Sequence, residues 1–290
     1  MTSRVRPAPP HAPFAAALAL ALALAGCHRA SPAERAARPI LEKNAAARGG
    51  AAAWRAVESL AMSGKLEAGR PRDPVKLAAS YLRQLRQTKG ELRRAAVQAR
   101  AAEPEQPVQL PFAMELKRPH KTRLEIAFQG QTAVQVFDGS QGRKLRPFLG
   151  RREVEPFSAE ELRLASQQAE LDGPLLEAAA RGHRVALVGE EQVEGRDAYR
   201  LAITSAEGQV RQVWVDAQTF LDVKVDGARR LDGKSRAVST YLRDYRPVHG
   251  LMIPHLLETV VEGVEGSEKI TIERVFLNPE LDDARFTTPQ

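Results

Sequence analysis

The chain is poor in cysteine and in aromatic residues: it has one Cys in 290 residues, and Phe, Trp and Tyr make up 5% of it. A lone cysteine excludes an internal disulfide framework and a zinc site built on cysteines. The apolar run Phe14–Leu24 has 11 residues, well short of the roughly 20 that a membrane-spanning helix needs. No G-x-S-x-G, S-x-x-K or phosphate-binding glycine loop is present, and Ser63-Gly64-Lys65 lacks the upstream glycines of such a loop. His249 and His255 are the closest pair of histidines in the mature chain. They flank Gly250 and Pro254, which read as a turn, and no third ligand stands at metal spacing. Asp216, Asp222 and Asp226 cluster around a hairpin, where turn chemistry accounts for aspartate. The sequence therefore predicts no catalytic residue, no metal, no cofactor and no enzymatic activity.

What is present begins with an address. Arg4 and Arg6 precede the apolar run without an acid among them, and small residues follow it. That order marks a secretory signal peptide. Leu24-Ala25-Gly26-Cys27 then resembles the lipobox of bacterial lipoproteins. The resemblance implies cleavage between Gly26 and Cys27, a diacylglycerol on the Cys27 thiol and an acylated new N-terminus. Stable anchoring takes two chains or signals, so a triacylated Cys27 holds the protein permanently on a membrane. His28, where an aspartate is absent, favours the outer membrane by analogy with enteric bacteria. The expected division is a leader over 1–26, a tether over 27–39 and one domain over 40–290.

The formal net charge of +7 raises nucleic acid or an acidic membrane surface as partners. Its location decides. Residues 70–105 hold nine basic and four acidic residues, and the rest of the mature chain is neutral. Within that segment Ala78, Leu82, Leu85, Leu92, Ala96 and Ala99 recur at helical spacing. Arg83, Arg86, Arg93, Arg94 and Arg100 lie mostly off the apolar stripe, as in a solvated arm or a surface for anionic headgroups. Only Tyr81 is available for base stacking, and the compartment is outside the cytoplasm, so no nucleic-acid partner is expected.

Elsewhere the pattern is β. Apolar residues alternate at Phe112/Met114/Leu116, Leu124/Ile126/Phe128 and Val134/Val136, and further strands read from Val185 to Phe276. Asp138-Gly139 signals a turn. A helix is expected from Pro39 to Arg55, interrupted at Gly49-Gly50. Another follows Ser158, where Ser158 and Glu161 form a capping box, with a last helical turn or two over Leu175–Ala180. The total is about eleven strands in a meandering antiparallel sheet.

Several segments resemble the LolA/LolB-like lipoprotein-carrier superfamily of outer-membrane lipoprotein-sorting proteins. The carriers of the resemblance are Gly49-Gly50 with Trp54, Val57, Leu60 and Gly64; Met114–Arg123; Gly195–Leu201; Val213–Asp216 with Leu221; and Tyr245–Pro254. The segment at 70–105 departs from the pattern as an insertion, and His249 stands where an acid is expected. The resemblance implies a mainly β fold with helices: an unclosed half-barrel of curved antiparallel sheet with helices over its mouth. It implies a monomer that binds acyl chains of lipoproteins or other lipids, as carrier or outer-membrane acceptor, at the periplasmic face of the outer membrane. A second reading on the same fold is a protein-interaction or stress-sensing module with an envelope partner. Alternation alone nominates Leu124, Ile126, Phe128, Val134, Val136, Leu162, Leu175, Leu201, Ile203, Val213 and Val215 as cavity residues, and marks Trp54 and Trp214 as packing anchors.

Overall fold

The computed structural model describes residues 30–68, 108–147, 150–231, 234–264 and 266–289. Gly26, Cys27 and the five arginines Arg83, Arg86, Arg93, Arg94 and Arg100 lie outside the described residues.

The first helix, α1, spans Pro32–Ala47. It begins well before Pro39, inside the stretch expected to be a tether. The cause is a capping box: Ser31 N–H donates to Glu34 Oε2 at 2.6 Å, and Glu34 N–H donates to Ser31 Oγ at 3.2 Å. Ala37 and Ile40 are then buried against the sheet, which holds the helix through Pro39 despite the lost donor. Gly49 and Gly50 end it at φ of 103° and 96°. A Cβ on Gly49 would stand 2.4 Å from the Gly250 carbonyl oxygen, so the chain can turn this close to its neighbour only with glycine. A short helix, α2 (Ala51–Arg55), follows.

Thirteen strands form one sheet. The first six are β1 (Ser59–Ala68), β2 (Gln109–Lys117), β3 (Lys121–Phe128), β4 (Gln131–Phe137), β5 (Gly142–Arg146) and β6 (Arg151–Pro156). The other seven are β7 (Arg184–Val193), β8 (Arg196–Thr204), β9 (Val210–Asp216), β10 (Asp222–Leu231), β11 (Lys234–Val248), β12 (Leu251–Val261) and β13 (Glu268–Leu277). The order is β6-β5-β4-β3-β2-β1-β13-β12-β11-β10-β9-β8-β7. Two antiparallel meanders are thus joined where β1 pairs with β13. The sheet is open, with β6 and β7 as its edges. Between those edges the chain forms α3 (Ala159–Gln168) and α4 (Pro174–Ala180). The Ser158 cap is present, with Glu161 N–H donating to Ser158 Oγ at 3.3 Å and Ser158 N–H to Glu161 Oε2 at 2.5 Å.

The sheet has more strands than the pattern suggests. One missed strand is β6, whose only branched apolar residue, Val154, is exposed, so no alternation marks it. The strand read from His255 starts earlier, at Leu251, so Pro254 lies within β12 rather than in a turn; His255 is buried there, with Nδ1 3.0 Å from the Ile253 carbonyl oxygen. Glu67 of β1 sits opposite Gln109 of β2. β1 and β2 are therefore neighbouring strands, and the chain between them, 69–107, lies outside the described residues.

The four α-helices among the described residues pack on one face of the sheet, here the inner face. α1 and α4 cover β7–β10, where Ala37, Ile40, Leu175 and Ala178 pack with Val185, Leu201, Ile203, Val213, Val215 and Val225. α3 sets Ala165 and Ala169 on Phe137. Trp54 of α2 packs with Leu60, Leu116, Leu251 and Ile253, and its Nε1–H donates to the Arg48 carbonyl at 2.9 Å. Trp214 is buried on the other face with Val193 and Ala198, and its Nε1–H donates to Glu191.

Candidate functional site: an apolar inner surface with a cleft at its mouth

Register builds the site. Met62, Gly64 and Leu66 of β1 oppose Met114, Phe112 and Leu110 of β2. Met114 and Phe112 oppose Leu124 and Ile126 of β3, and Ile126 opposes Ala133 of β4. On the other side Leu66 opposes Ile270, Gly64 opposes Ile272 and Met62 opposes Val275 of β13. Ile270 in turn opposes Leu257 of β12. Side chains directly opposite one another share a face, so these residues make one apolar surface across five adjacent strands and the neighbouring β12. Gly64 is required there, because a Cβ would fall 1.9 Å from the Thr271 carbonyl oxygen.

This patch differs from the rest of the inner face. Its buried members are Leu66, Leu110, Phe112, Ile126, Ala133 and Ile272; Met62, Met114, Leu124, Phe128, Leu257, Ile270 and Val275 are half-buried against them. Among the described residues no helix side chain belongs to it, whereas α1 and α4 fill the β7–β10 half.

The nominated residues therefore separate. Leu124, Ile126 and Phe128 lie in the helix-free patch. Leu162 sits on α3 beside Phe137. Leu175, Leu201, Ile203, Val213 and Val215 face inward but pack against the protein's own helices. Val134 and Val136 oppose Glu125 and Arg123, out of phase with Ile126, and so lie on the outer face. They are 2% and 1% exposed because the C-terminal segment covers them. Its 3-10 helix, Asp283–Phe286, packs on β3 and β4 with Phe286 fully buried. Arg123 Nη1–H donates to the Arg285 carbonyl at 3.0 Å and Arg143 Nη1–H to the Thr287 carbonyl at 3.1 Å. Met62, Met114, Leu257, Ile270 and Val275 were not nominated; their alternation in neighbouring strands was the available signal.

A polar wall borders the patch on β5. Lys144 opposes Gln135 and is bound by both Glu161 oxygens, at 2.6 and 2.8 Å, with both side chains almost fully buried. Burial pulls the Lys144 ammonium below its usual range, against the pull of Glu161.

At the strand ends beside α2 and α4 a second polar network fastens helices to sheet. Asn44 Nδ2–H donates to the Phe220 carbonyl at 2.8 Å and to Asp222 Oδ1 at 2.9 Å. Arg48 Nη1 lies 3.9 Å from Asp222 Oδ2 and donates to the Asp172 carbonyl at 2.6 Å. Arg118 donates to the Val57 carbonyl at 2.8 Å and to the Asp172 carboxylate. Burial raises both aspartates, with Arg118 opposing it at Asp172 and Arg48 at Asp222. Turn chemistry does hold for Asp216, whose Oδ1 accepts from Thr219 N–H at 2.7 Å, but Asp222 is instead a buried tie.

Over this network lies a cleft of about 400 Å³, lined by Ala51 and Arg55 of α2, Asp172, and Leu176, Ala179 and Ala180 of the α4 region. Leu176 packs against the cluster of Trp54, Val57 and Leu116. That cluster shares Met62, Met114 and Val275 with the helix-free patch. Apolar side chains thus run without a break from the cleft to the patch.

No family model and no curated protein matches this sequence. Solved structures do. A LolA superfamily protein from Nitrosomonas europaea superposes with a TM-score of 0.53 at 13% identity, over 87% of this chain and 97% of that one. An outer membrane lipoprotein-sorting protein domain from Vibrio parahaemolyticus gives 0.52 at 10% identity, over 88% and 97%. A DUF1329 family protein from Desulfovibrio piger gives 0.51 at 12% identity, over 86% and 96%. At these identities the likeness is one of fold.

Proposed function

We propose that this chain, which has the LolA-like fold, is a lipid-anchored envelope protein that shelters acyl chains of lipoproteins or other lipids on its inner face, as carrier or outer-membrane acceptor. The observation that carries this reading is the asymmetry of the inner face. One side of it is filled by α1 and α4, and the patch around Leu124, Phe128 and Leu257 has no helix side chain in its cluster among the described residues. Apolar surface of this kind gains about 25 cal/mol for each Å² that a ligand removes from water. Binding is non-directional, so such a surface suits acyl chains that differ in length, and nothing in it calls for catalysis. The fold's likeness to a lipoprotein-sorting domain supports the same reading. The lipobox-like Leu24–Cys27 supplies the anchor in this proposal, and a permanent anchor favours an acceptor over a diffusing shuttle.

The test is native mass spectrometry of the mature protein purified from bacterial membranes. Bound lipid is expected. Its consistent absence, together with no uptake of a fluorescent fatty acid, would overturn the reading. The anchor is tested separately by Cys27→Ala and membrane fractionation: release to the soluble fraction is expected, and retention would remove the lipobox from the proposal.

A further inference from the structure

We propose that the cleft between α2 and α4 is a headgroup site, in which Arg55 binds the anionic end of a single-chain lipid whose tail enters the inner surface. This rests on the acyl-binding reading above and adds to it a site and a ligand class.

The charges around the cleft carry the argument. Asp172 lines it, but its carboxylate is taken by Arg118, and Arg48 lies behind its carbonyl. Glu177 of α4 is paired with Arg181 at 2.8 Å, with His120 at 3.8 Å. Arg55 is exposed, stands at the end of α2 and forms no ion pair among the described residues. The compensated acids therefore leave one cation on the cleft.

Its other lining groups are Ala51, Leu176, Ala179 and Ala180. These small side chains leave a volume of about 400 Å³, within the roughly 300–1,000 Å³ of ordinary ligand pockets. A cation beside an apolar floor matches an amphiphile with a negative end. A guanidinium holds a carboxylate or phosphate through paired hydrogen bonds. Leu176 belongs to the cluster that meets the helix-free patch at Met62, Met114 and Val275, so the apolar floor of the cleft is continuous with that surface and a tail lying along it stays on apolar side chains.

The experiment uses the mature protein and two probes with one tail: cis-parinaric acid and its methyl ester. Wild-type protein is expected to prefer the acid by about tenfold, the equivalent of roughly 1.4 kcal/mol. Arg55→Glu should abolish that preference by weakening the acid and leaving the ester unchanged, and Arg55→Lys should retain it. Ala179→Trp, which fills the cleft, should weaken both probes. An acid-to-ester ratio unchanged by Arg55→Glu would overturn the headgroup site while leaving acyl binding intact. So would full binding by Ala179→Trp. Failure of the wild-type protein to bind either probe would overturn the acyl-binding reading itself, and this inference with it.

Discussion

Asp222 is 2% exposed and lies between Asn44, Arg48 and the Tyr245 hydroxyl, which donates to its carbonyl at 2.9 Å. Removing one partner of a buried charged group strands the other, at about 3–5 kcal/mol. Asp222→Ala is therefore expected to lose about 3 kcal/mol in urea unfolding. The pH dependence has a defined sign. Burial raises the native Asp222 carboxyl above 3.8, so its contribution is fully present below 3.8 and is lost as pH rises through the native value. Measured against Asp222→Asn, wild-type stability should gain as pH falls from 6 to 3.5; parallel curves would contradict this. Asp283 has the opposite sign. Hydrogen bonds from Lys117 and then Lys121 hold its carboxyl at about 2. Its contribution is present above 3.8 and lost as pH falls toward 2, which carboxyl carbon NMR titration would read directly.

Among the elements, α3 and the β1–β13 pairing depend most clearly on single residues. Ser158→Ala removes the cap of α3, an expected loss of about 1 kcal/mol in the midpoint-derived unfolding free energy. Gly64→Ala places a methyl group against the Thr271 carbonyl at the bulge where β1 meets β13. Overpacking of this kind costs about 1–3 kcal/mol. Because that strand pairing joins the two meanders into one sheet, thermal unfolding of this variant should remain a single transition at lower temperature. Separate melting of two halves would show that the junction does not couple them. The α3 cap was readable from four consecutive residues. The early start of α1 was readable in principle from Ser31 and Glu34, but Pro39 was the louder signal. Strand β6 was not readable, because an edge strand of charged residues carries no hydrophobic period.

For the whole molecule, the division of the sheet into two faces is what the proposed acyl binding depends on. Leu124 and Val136 lie twelve positions apart on adjacent strands and are both apolar, yet the register puts them on opposite faces. Leu124→Glu is expected to reduce fatty-acid uptake at least tenfold while leaving the fold intact, since Leu124 is only half-buried. Val136→Lys should instead unfold the protein, because it buries a cation between Arg123 and Arg143 of the neighbouring strands, beneath the C-terminal segment. Comparing uptake with circular dichroism for the two variants checks the assignment, and equal behaviour would refute it.

The sequence by itself determined the local features: the caps at Ser158 and Ser31, the turn at Asp138 and the alternation that makes a β protein. Each depends on residues a few positions apart, so chemistry along the chain suffices to specify it. Tertiary structure alone decided which face each strand turns inward, that Val134 and Val136 lie under the C-terminal segment, and that Asp222 is a buried tie. It also decided that one side of the inner face is filled by helices. Alternation with a period of two states that neighbouring residues point to opposite sides; it does not state which side. That choice is made by pairings such as Leu60 with Leu277, between residues whose proximity no local pattern records.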